Sequence, residues 1–250
     1  MSGSLIFAET DGGALLPTFW EQVAAVRQMA AQVGGGLRVA AQGWEIDASE
    51  VRRSGADEVY LVEDSRLAES WPEAHLEAFA ALCHELQPDL IVMPRTLLGM
   101  EVAARLAARL GAGLAQDVMS LQLTDGRLTA TRLVSGGAAQ ATLRFARGPW
   151  IVVPRPGAFT PAEPAAESAG ALIPRRPELS DGALKTKCVS RTRQPGAKIS
   201  LERARVIISG GRGMGGPADD QGSISDETRW LRVNADRSRR LAALISWPIS

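Results

Sequence analysis

The sequence predicts an α/β protein in which a parallel sheet flanked by helices is followed by an antiparallel appendage. Up to about residue 117, short apolar runs typical of buried strands alternate with segments whose apolar residues recur at helical spacing. Such alternation over short links favours parallel pairing, with helices on both faces of the sheet. From Val118 to Val153, strand-like runs follow one another without a helical pattern, which is typical of antiparallel pairing.

The first strand and the first helix are predicted before residue 34. Leu5–Glu9 is a short apolar run, and the Asp11-Gly12-Gly13 sequence turns the chain after it. Pro17 suits the first position of a helix, and Gly34 suits its end. Between them, one helical face is apolar at steps of three and four residues. Its members are Phe19, Val23, Val26, Ala30 and Val33.

The strand and helix pattern then repeats three times. Strands are predicted over Leu37–Ala41, Glu58–Val62 and Asp89–Met93. Helices are predicted over Ala48–Ser54, His75–Leu86 and Gly99–Leu110. In the last of these helices Glu101 and Arg105 form an i,i+4 pair, and Gly111 provides a C-terminal stop.

The appendage and a linker follow. The strands of the appendage are predicted over Met119–Leu123, Leu128–Leu133, Ala141–Phe145 and Trp150–Val153. Gly136-Gly137 is interpreted first as a turn and second as a contact surface. Residues 160–182 carry proline at positions 161, 164, 174 and 177 among alanine, glutamate and serine, which is the composition of a linker. We therefore predict a domain boundary there.

Composition excludes several classes of protein. The 28 basic and 28 acidic residues cancel, so no overall charge points to nucleic acid or to an anionic membrane. Two cysteines provide neither a disulfide framework nor a metal-binding quartet, which favours a reducing compartment. No apolar run approaches the length of a membrane span, and no signal peptide is recognised. We expect a cytoplasmic protein without membrane insertion.

The sequence gives little support for metal or hydrolytic chemistry. His75 and His84 lie nine residues apart on one predicted helix and are interpreted as surface residues, since their spacing does not suit a metal site. Cys83 falls on the apolar face of that helix and is interpreted as a core residue. We find neither a nucleophile elbow nor paired carboxylates, so no catalytic residue and no metal ligand is assigned.

Two other groups of residues have a functional and a structural interpretation. Thr96 and Gly99–Arg105 follow the fourth strand at the carboxyl edge of the sheet, where α/β proteins bind ligands. The structural interpretation, which we favour, is that Thr96 caps the helix while Arg105 and Arg109 cover its solvated face. A scattered basic run could collect phosphates or simply be solvated. Its members are Lys185, Lys187, Arg191, Arg193 and Lys198.

Ala204–Gly216 combines an apolar strand with a glycine-rich loop. The loop residues Gly210, Gly211, Arg212 and Gly213 provide flexible backbone N–H groups and one guanidinium, which suits a phosphate or cofactor. A plain tight turn is the structural alternative. The G-x-G-x-x-G spacing would also fit an NAD-dependent oxidoreductase, but that fingerprint needs a helix directly afterwards. Residues 217–223 have no apolar helical face, which disfavours this alternative.

Four stretches in sequence resemble the α subunit of electron transfer flavoproteins. They read "DLIVMPRTLLGMEVAARLAARLGAGLAQDV" from residue 89, "RLVSGGAAQATLRF" from residue 132, "IVVPRPGAF" from residue 151 and "LERARVIISGGRGMGG" from residue 201. The resemblance implies an adenine-nucleotide-hydrolase-like N-terminal domain that binds no nucleotide and packs against a β subunit. It further implies a flavodoxin-like domain that holds FAD.

The resemblance also implies a function and a cofactor contact. Proteins of this kind carry electrons from dehydrogenases, such as acyl-CoA dehydrogenases, to a quinone reductase or another acceptor. The arginine of the "SGGRG" loop reaches the flavin in this family, and that role carries over to Arg212. Gly210, Gly211 and Gly213 form its backbone frame.

The resemblance ends at Gly216, and the expected domain organisation follows from this. We predict an N-terminal domain over 1–160, a linker over 161–183, the start of an FAD domain over 184–216 and an unmatched tail over 217–250. The family's downstream flavin segments "GASRAAVDAGW", "GQTG" and "SGAIQH" have no counterpart here. We therefore expect an incomplete FAD site and a flavin domain interrupted by truncation or a broken reading frame. The alternative is a non-catalytic assembly module that docks a β-like subunit without flavin.

Overall fold

A mixed sheet of ten strands forms the centre of the described part of the chain. The structure is a computed structural model that describes residues 3–69, 71–165, 170–180, 182, 184–186 and 189–190, apart from the side chains of 30–33. The strands are β1 (Ser4–Asp11), β2 (Ala14–Leu15), β3 (Leu37–Gly43), β4 (Glu58–Glu63), β5 (Leu90–Val92), β6 (Gly113–Thr124), β7 (Arg127–Val134), β8 (Ala139–Arg144), β9 (Trp150–Pro154) and β10 (Ala171–Arg175). The α-helices are α1 (Thr18–Val33), α2 (Ala48–Arg52), α3 (Pro72–Leu86) and α4 (Leu97–Leu110).

The strand order is β10-β4-β3-β1-β5-β9-β6-β7-β8, and β2 pairs with β1 outside this path. Neighbours from β10 to β6 pair in parallel, whereas β6, β7 and β8 pair antiparallel. The predicted fold of the first part is confirmed, a parallel sheet flanked by helices with an antiparallel appendage.

The helices cover the two faces of the sheet with two separate apolar cores. Side chains alternate along β1, so Ile6 and Ala8 join the core beneath α1, while Leu5 and Phe7 join the core beneath α3 and α4. The predicted face of α1 is confirmed where its side chains are described. Phe19, Val23 and Val26 are buried.

The strand β9 corrects one prediction. Trp150–Val153 was expected to belong to the antiparallel appendage, but β9 lies between β5 and β6 and pairs in parallel with both. All five of its residues are buried, with Val152 in the α1 core and Ile151 in the opposite core. A continuous apolar run of this kind is typical of an interior parallel strand. The appendage therefore consists of the later part of β6 with β7 and β8.

Part of the segment predicted as a linker forms a strand. Ala171–Arg175 is β10, which pairs in parallel with β4 at one end of the sheet. Pro174 is tolerated there because an edge strand leaves one row of its backbone groups unpaired. Further along, Leu179 is buried, and its carbonyl accepts a hydrogen bond from Arg66 Nη1 at 2.7 Å. This segment packs on the N-terminal domain, while the domain boundaries themselves stay a prediction.

The helix α4 illustrates how local sequence sets an element's ends. The Thr96 hydroxyl accepts a hydrogen bond from Gly99 N at 2.9 Å, which satisfies a free N–H of the first turn. At the other end Gly111 adopts φ 59° and its N–H bonds to Ala107 O, as expected of a glycine stop. No helix among the described residues is both long and apolar enough to cross a membrane.

Candidate functional site

The carboxyl edge of the parallel strands is the first candidate site. Along the chain, strands are added on one side of β1 as β3 and β4, and then on the other side as β5. In open α/β sheets, ligands bind in the crevice that opens at such a reversal, beyond the carboxyl ends of the strands. The side chains between the ends of β1 and β5 therefore decide whether this domain can bind a ligand there.

The crevice is bridged by a carboxylate and a hydroxyl. Glu9, near the end of β1, is 8% exposed, and its Oε2 accepts a short hydrogen bond from Thr96 Oγ1. The same hydroxyl accepts from Gly99 N and thereby caps α4. The structure thus confirms the capping interpretation of Thr96. The hydroxyl hydrogen of Thr96 donates to Glu9 and thereby links α4 to β1.

Gln22 also links the two strands that border the crevice. Its side chain is buried, and its amide nitrogen donates to Phe7 O at 3.1 Å and to Val92 O at 3.3 Å, so it links β1 and β5 directly. Among the described residues, Gln22 Oε1 and Thr18 Oγ1 have no hydrogen-bond partner. Both residues line a cavity of about 10 Å³, the size that holds a single water molecule. This cavity therefore does not fit a nucleotide or a flavin.

The charged groups beside the crevice are also paired with one another. Asp117 Oδ1 lies 3.5 Å from Arg95 Nε, and Asp117 Oδ2 lies 3.5 Å from Arg155 Nη1. These ion pairs connect β6 to the segments that follow β5 and β9. On α4, Arg105 pairs with Glu101 as predicted, and Arg109 pairs with Glu77 of α3. The Arg109 guanidinium holds the pKa of the Glu77 carboxyl below its usual value. Arg105 and Arg109 therefore lie in ion pairs on the solvated face of α4, as the sequence indicated.

The predicted surface position of His75 is wrong. His75 is 2% exposed and lies on the face of α3 that packs on the sheet. Its ring contacts the Phe7 ring edge to face. Its Nδ1 lies 3.1 Å from the Gln42 side-chain amide, and its Nε2 lies 3.2 Å from Glu69 O. The carbonyl can only accept, so Nε2 carries the proton and the Gln42 amide donates to Nδ1. Burial lowers the pKa of His75 to about 4. His84, by contrast, is exposed as predicted.

Neither cysteine chemistry nor a metal centre is found among the described residues. Cys83 is buried on α3 as predicted, and burial raises the pKa of its thiol to about 12, so the thiolate needed for reaction is scarce. Within the described ranges, no group of three or more His, Cys, Asp or Glu side chains could hold a metal ion.

The appendage is the second candidate site. Register places Arg132 of β7 beside Val118 of β6 and Ala141 of β8. Arg132 is half-buried, and its Nε is sealed from solvent without a partner among the described residues. The sequence signal was an arginine in the buried-face alternation Leu128, Ala130, Arg132, which we did not single out. The Gly136-Gly137 turn lies next to it and is exposed.

Comparisons with known proteins identify the family. The model of the electron transfer flavoprotein domain matches residues 4–176, which is most of the chain. The chain belongs to the electron transfer flavoprotein family. The match includes both the bridged crevice and the appendage with Arg132.

Relatives of this electron transfer flavoprotein chain carry consistent names. It is 30% identical over 216 residues to "Electron transfer flavoprotein subunit alpha" of Thermoanaerobacterium thermosaccharolyticum, covering 85% of this chain and 66% of that protein. It is 30% identical to the subunit of the same name from Syntrophomonas wolfei, covering 87% and 67%. It is 28% identical to "Acryloyl-CoA reductase electron transfer subunit beta" of Anaerotignum propionicum, covering 88% and 67%. The matched part spans about two thirds of these relatives.

The residues predicted to contact the cofactor fall elsewhere in the chain. Gly210, Gly211, Arg212 and Gly213 lie outside the described residues, as does most of the basic run. Of that run, Lys185 is described, and its backbone N–H donates to Glu73 Oε2 at 2.7 Å. The cofactor assignment stays a prediction that the family membership motivates.

Proposed function

We propose that the chain is an α-type subunit that carries electrons through FAD, in a complex with a β-type subunit. Its donors would be dehydrogenases, such as acyl-CoA dehydrogenases, and its acceptor a quinone reductase or a similar protein. The observation that carries the proposal is the family match over residues 4–176, together with relatives whose names specify electron transfer.

The geometry of the described domain supports a scaffold function for it. The switch-point crevice is filled by Glu9, Gln22 and Thr96, whose hydrogen bonds run to the protein itself. Self-pairing of these groups disfavours a flavin site between β1 and β5. We infer that later residues hold the cofactor, and the Arg212 loop is the stretch whose chemistry suits an anionic flavin or its phosphates.

In this proposal FAD supplies the redox chemistry and the protein supplies position and charge. Arg212 would hold its guanidinium against the cofactor, where a fixed positive charge favours an anionic form of the flavin. The glycines 210, 211 and 213 would let the backbone approach closely. The N-terminal domain would contribute the surface on which the partner subunit docks.

Co-expression with a β-type subunit tests the proposal. We expect the two chains to co-purify with bound flavin, seen as flavin absorbance that resists dialysis. Arg212→Met should weaken flavin retention about tenfold or more, because a charge-assisted hydrogen bond is lost. Arg176→Met is the matched control, since Arg176 is exposed on the N-terminal domain.

The outcomes separate the proposal from its alternative. Loss of flavin in the Arg212 variant, with retention in the Arg176 variant, would support the cofactor role. A stable but colourless wild-type complex would contradict electron transfer and favour an assembly module that docks a β-like subunit without flavin. Failure of the wild-type chains to associate would contradict both.

A further inference from the structure

Arg132 is a cation at the margin of the core, and the described residues provide no partner for it. It forms no hydrogen bond or ion pair among the described residues, and its Nε is sealed from water. The guanidiniums near the crevice and on α4 differ, because Arg95, Arg105, Arg109 and Arg155 each lie near a carboxylate. A buried N–H without an acceptor is costly, whereas the terminal nitrogens of this half-exposed side chain remain open to solvent. Those nitrogens can therefore donate to an acceptor that another molecule supplies.

The surroundings of Arg132 are apolar and open on one side. On its face of the appendage the cross-strand rows are Leu121–Ala130–Leu143 and Val118–Arg132–Ala141. Leu121 and Ala130 are buried, but Leu143 at the end of its row is 36% exposed. The face is therefore covered near β6 and uncovered near β8, which is the side from which an acceptor can approach.

The strand β8 ends the sheet and carries few of the features that protect an edge. Among the described strands it is the last in the order, and its pairing with β7 runs over six residues without a shift in register. Residues 139–143 contain no charge and no proline. Edge strands of natural proteins are usually shielded by lysines, prolines or bulges, and an unshielded edge is a template for another strand.

The charge of the appendage indicates what kind of strand it would accept. Residues 118–147 contain four arginines and one acidic residue, Asp125. The arginines are Arg127, Arg132, Arg144 and Arg147. An acidic segment complements this surface, and complementary charge directs association and register.

We propose that β8 accepts an extended acidic segment of the β-type partner by strand addition, and that a carboxylate of this segment pairs with Arg132. This inference rests on the proposed function, because that function provides the partner. A strand added beyond β8 would lie two strand spacings, about 10 Å, from β7. Ala141 is the small residue between them, so Arg132 and an acidic side chain can meet across it. Main-chain bonds would supply affinity, and the ion pair would supply register.

The test compares Arg132→Gln with Arg127→Gln in the full chain. Arg127 is exposed at the start of β7 and lies on the opposite face, since an odd number of positions separates it from Arg132 along the strand. Binding to the co-produced β-type subunit is measured by sedimentation, and the melting temperature of each free chain is recorded. We expect Arg132→Gln to weaken the complex about tenfold or more. Arg127→Gln should change the affinity less than about threefold. Neither substitution should lower the melting temperature of the free chain.

Hydrogen exchange provides the second measurement. The backbone amides of β8 that point away from β7 should exchange quickly in the free chain and slowly in the complex, whereas those bonded to β7 should be protected in both. Unchanged affinity of Arg132→Gln, or outward-pointing β8 amides that stay unprotected in the complex, would overturn the inference while leaving the proposed function intact. Protection of these outward-pointing amides already in the free chain would mean that this chain's own residues cover the edge, which also overturns it. Absence of any wild-type complex would instead contradict the proposed function.

Discussion

The carboxyl edge of the parallel sheet and the antiparallel appendage belong to one sheet, yet their polar groups are handled differently. At the carboxyl edge Glu9 bonds to Thr96, the Gln22 amide nitrogen bonds to two strands, and His75 bonds on both sides of its ring. Only Gln22 Oε1 and Thr18 Oγ1, beside a cavity the size of one water molecule, lack a partner there among the described residues. On the appendage, Arg132 has a buried Nε without a partner among the described residues, and β8 is exposed along most of its length.

The difference indicates which region the described residues stabilise by themselves and motivates the proposal that the other region meets another molecule. Buried polar groups are stable when they are satisfied, and at the carboxyl edge the chain satisfies most of them itself. α/β sheets usually bind ligands at this edge, whereas here the groups between β1 and β5 bond mainly to the chain itself. The described part of the appendage leaves Arg132 Nε and the outer edge of β8 without partners, which motivates the docking proposed there. The comparison predicts large stability effects at the first region and small ones at the second.

The largest expected effect is a loss of stability at acidic pH through His75. Its pKa is lowered to about 4 in the folded chain, against 6.5 for an ordinary histidine. As pH falls below about 6.5, the unfolded chain binds a proton that the folded chain does not bind, so the folded state becomes relatively less stable. The cost grows until about pH 4 and reaches about 3 kcal/mol. Urea unfolding across this pH range measures it.

A matched pair of variants isolates the His75 contribution. In His75→Gln the titrating group is gone, so the free energy of unfolding should decline less between neutral pH and about pH 4 than in the wild type. His84→Gln should keep the wild-type pH dependence because His84 is exposed. Equal pH profiles for the wild type and His75→Gln would contradict the buried, neutral state of this ring.

The next effect concerns the link between β1 and β5. Gln22→Leu removes the donations to Phe7 O and Val92 O but keeps a side chain of similar size. We expect a loss of about 1–2 kcal/mol in the free energy of unfolding, because the lost bonds are partly offset by removal of the unpaired Oε1. Gln140→Leu is the control, since Gln140 is exposed on β8. Similar values for the two variants, measured by urea unfolding, would contradict the comparison.

Much of the fold was predictable because periodicity and turn residues carry it. Phe19, Val23 and Val26 follow helical spacing and are buried together, and Thr96 and Gly111 mark the ends of α4. Local patterns of this kind do not depend on distant parts of the chain, so the elements that they predict agree with the structure.

The errors arose where long-range pairing decides the outcome. The strand β9 pairs with β5, although a helix and three strands separate the two in the sequence. The local sequence Trp150–Pro154 does not indicate which strands it pairs with. His75 is buried because Gln42 and Glu69, far from it in sequence or beyond a turn, provide partners for its ring. Pro174 suggested a linker, yet an edge strand accepts proline. The position of Arg132 between Val118 and Ala141 depends on three strands at once, so only the register reveals it.

The smallest effect in the comparison comes from one substitution made in both regions. Thr96→Ala removes the cap of α4 and the hydrogen bond to Glu9, so we expect a loss of about 1 kcal/mol in the free energy of unfolding. Thr142→Ala makes the same chemical change on exposed β8, where we expect a change within about 0.5 kcal/mol. Urea unfolding of the two free chains measures both. If Thr142→Ala cost as much as Thr96→Ala, β8 would already be engaged within the free chain, and its availability to a partner would have to be abandoned.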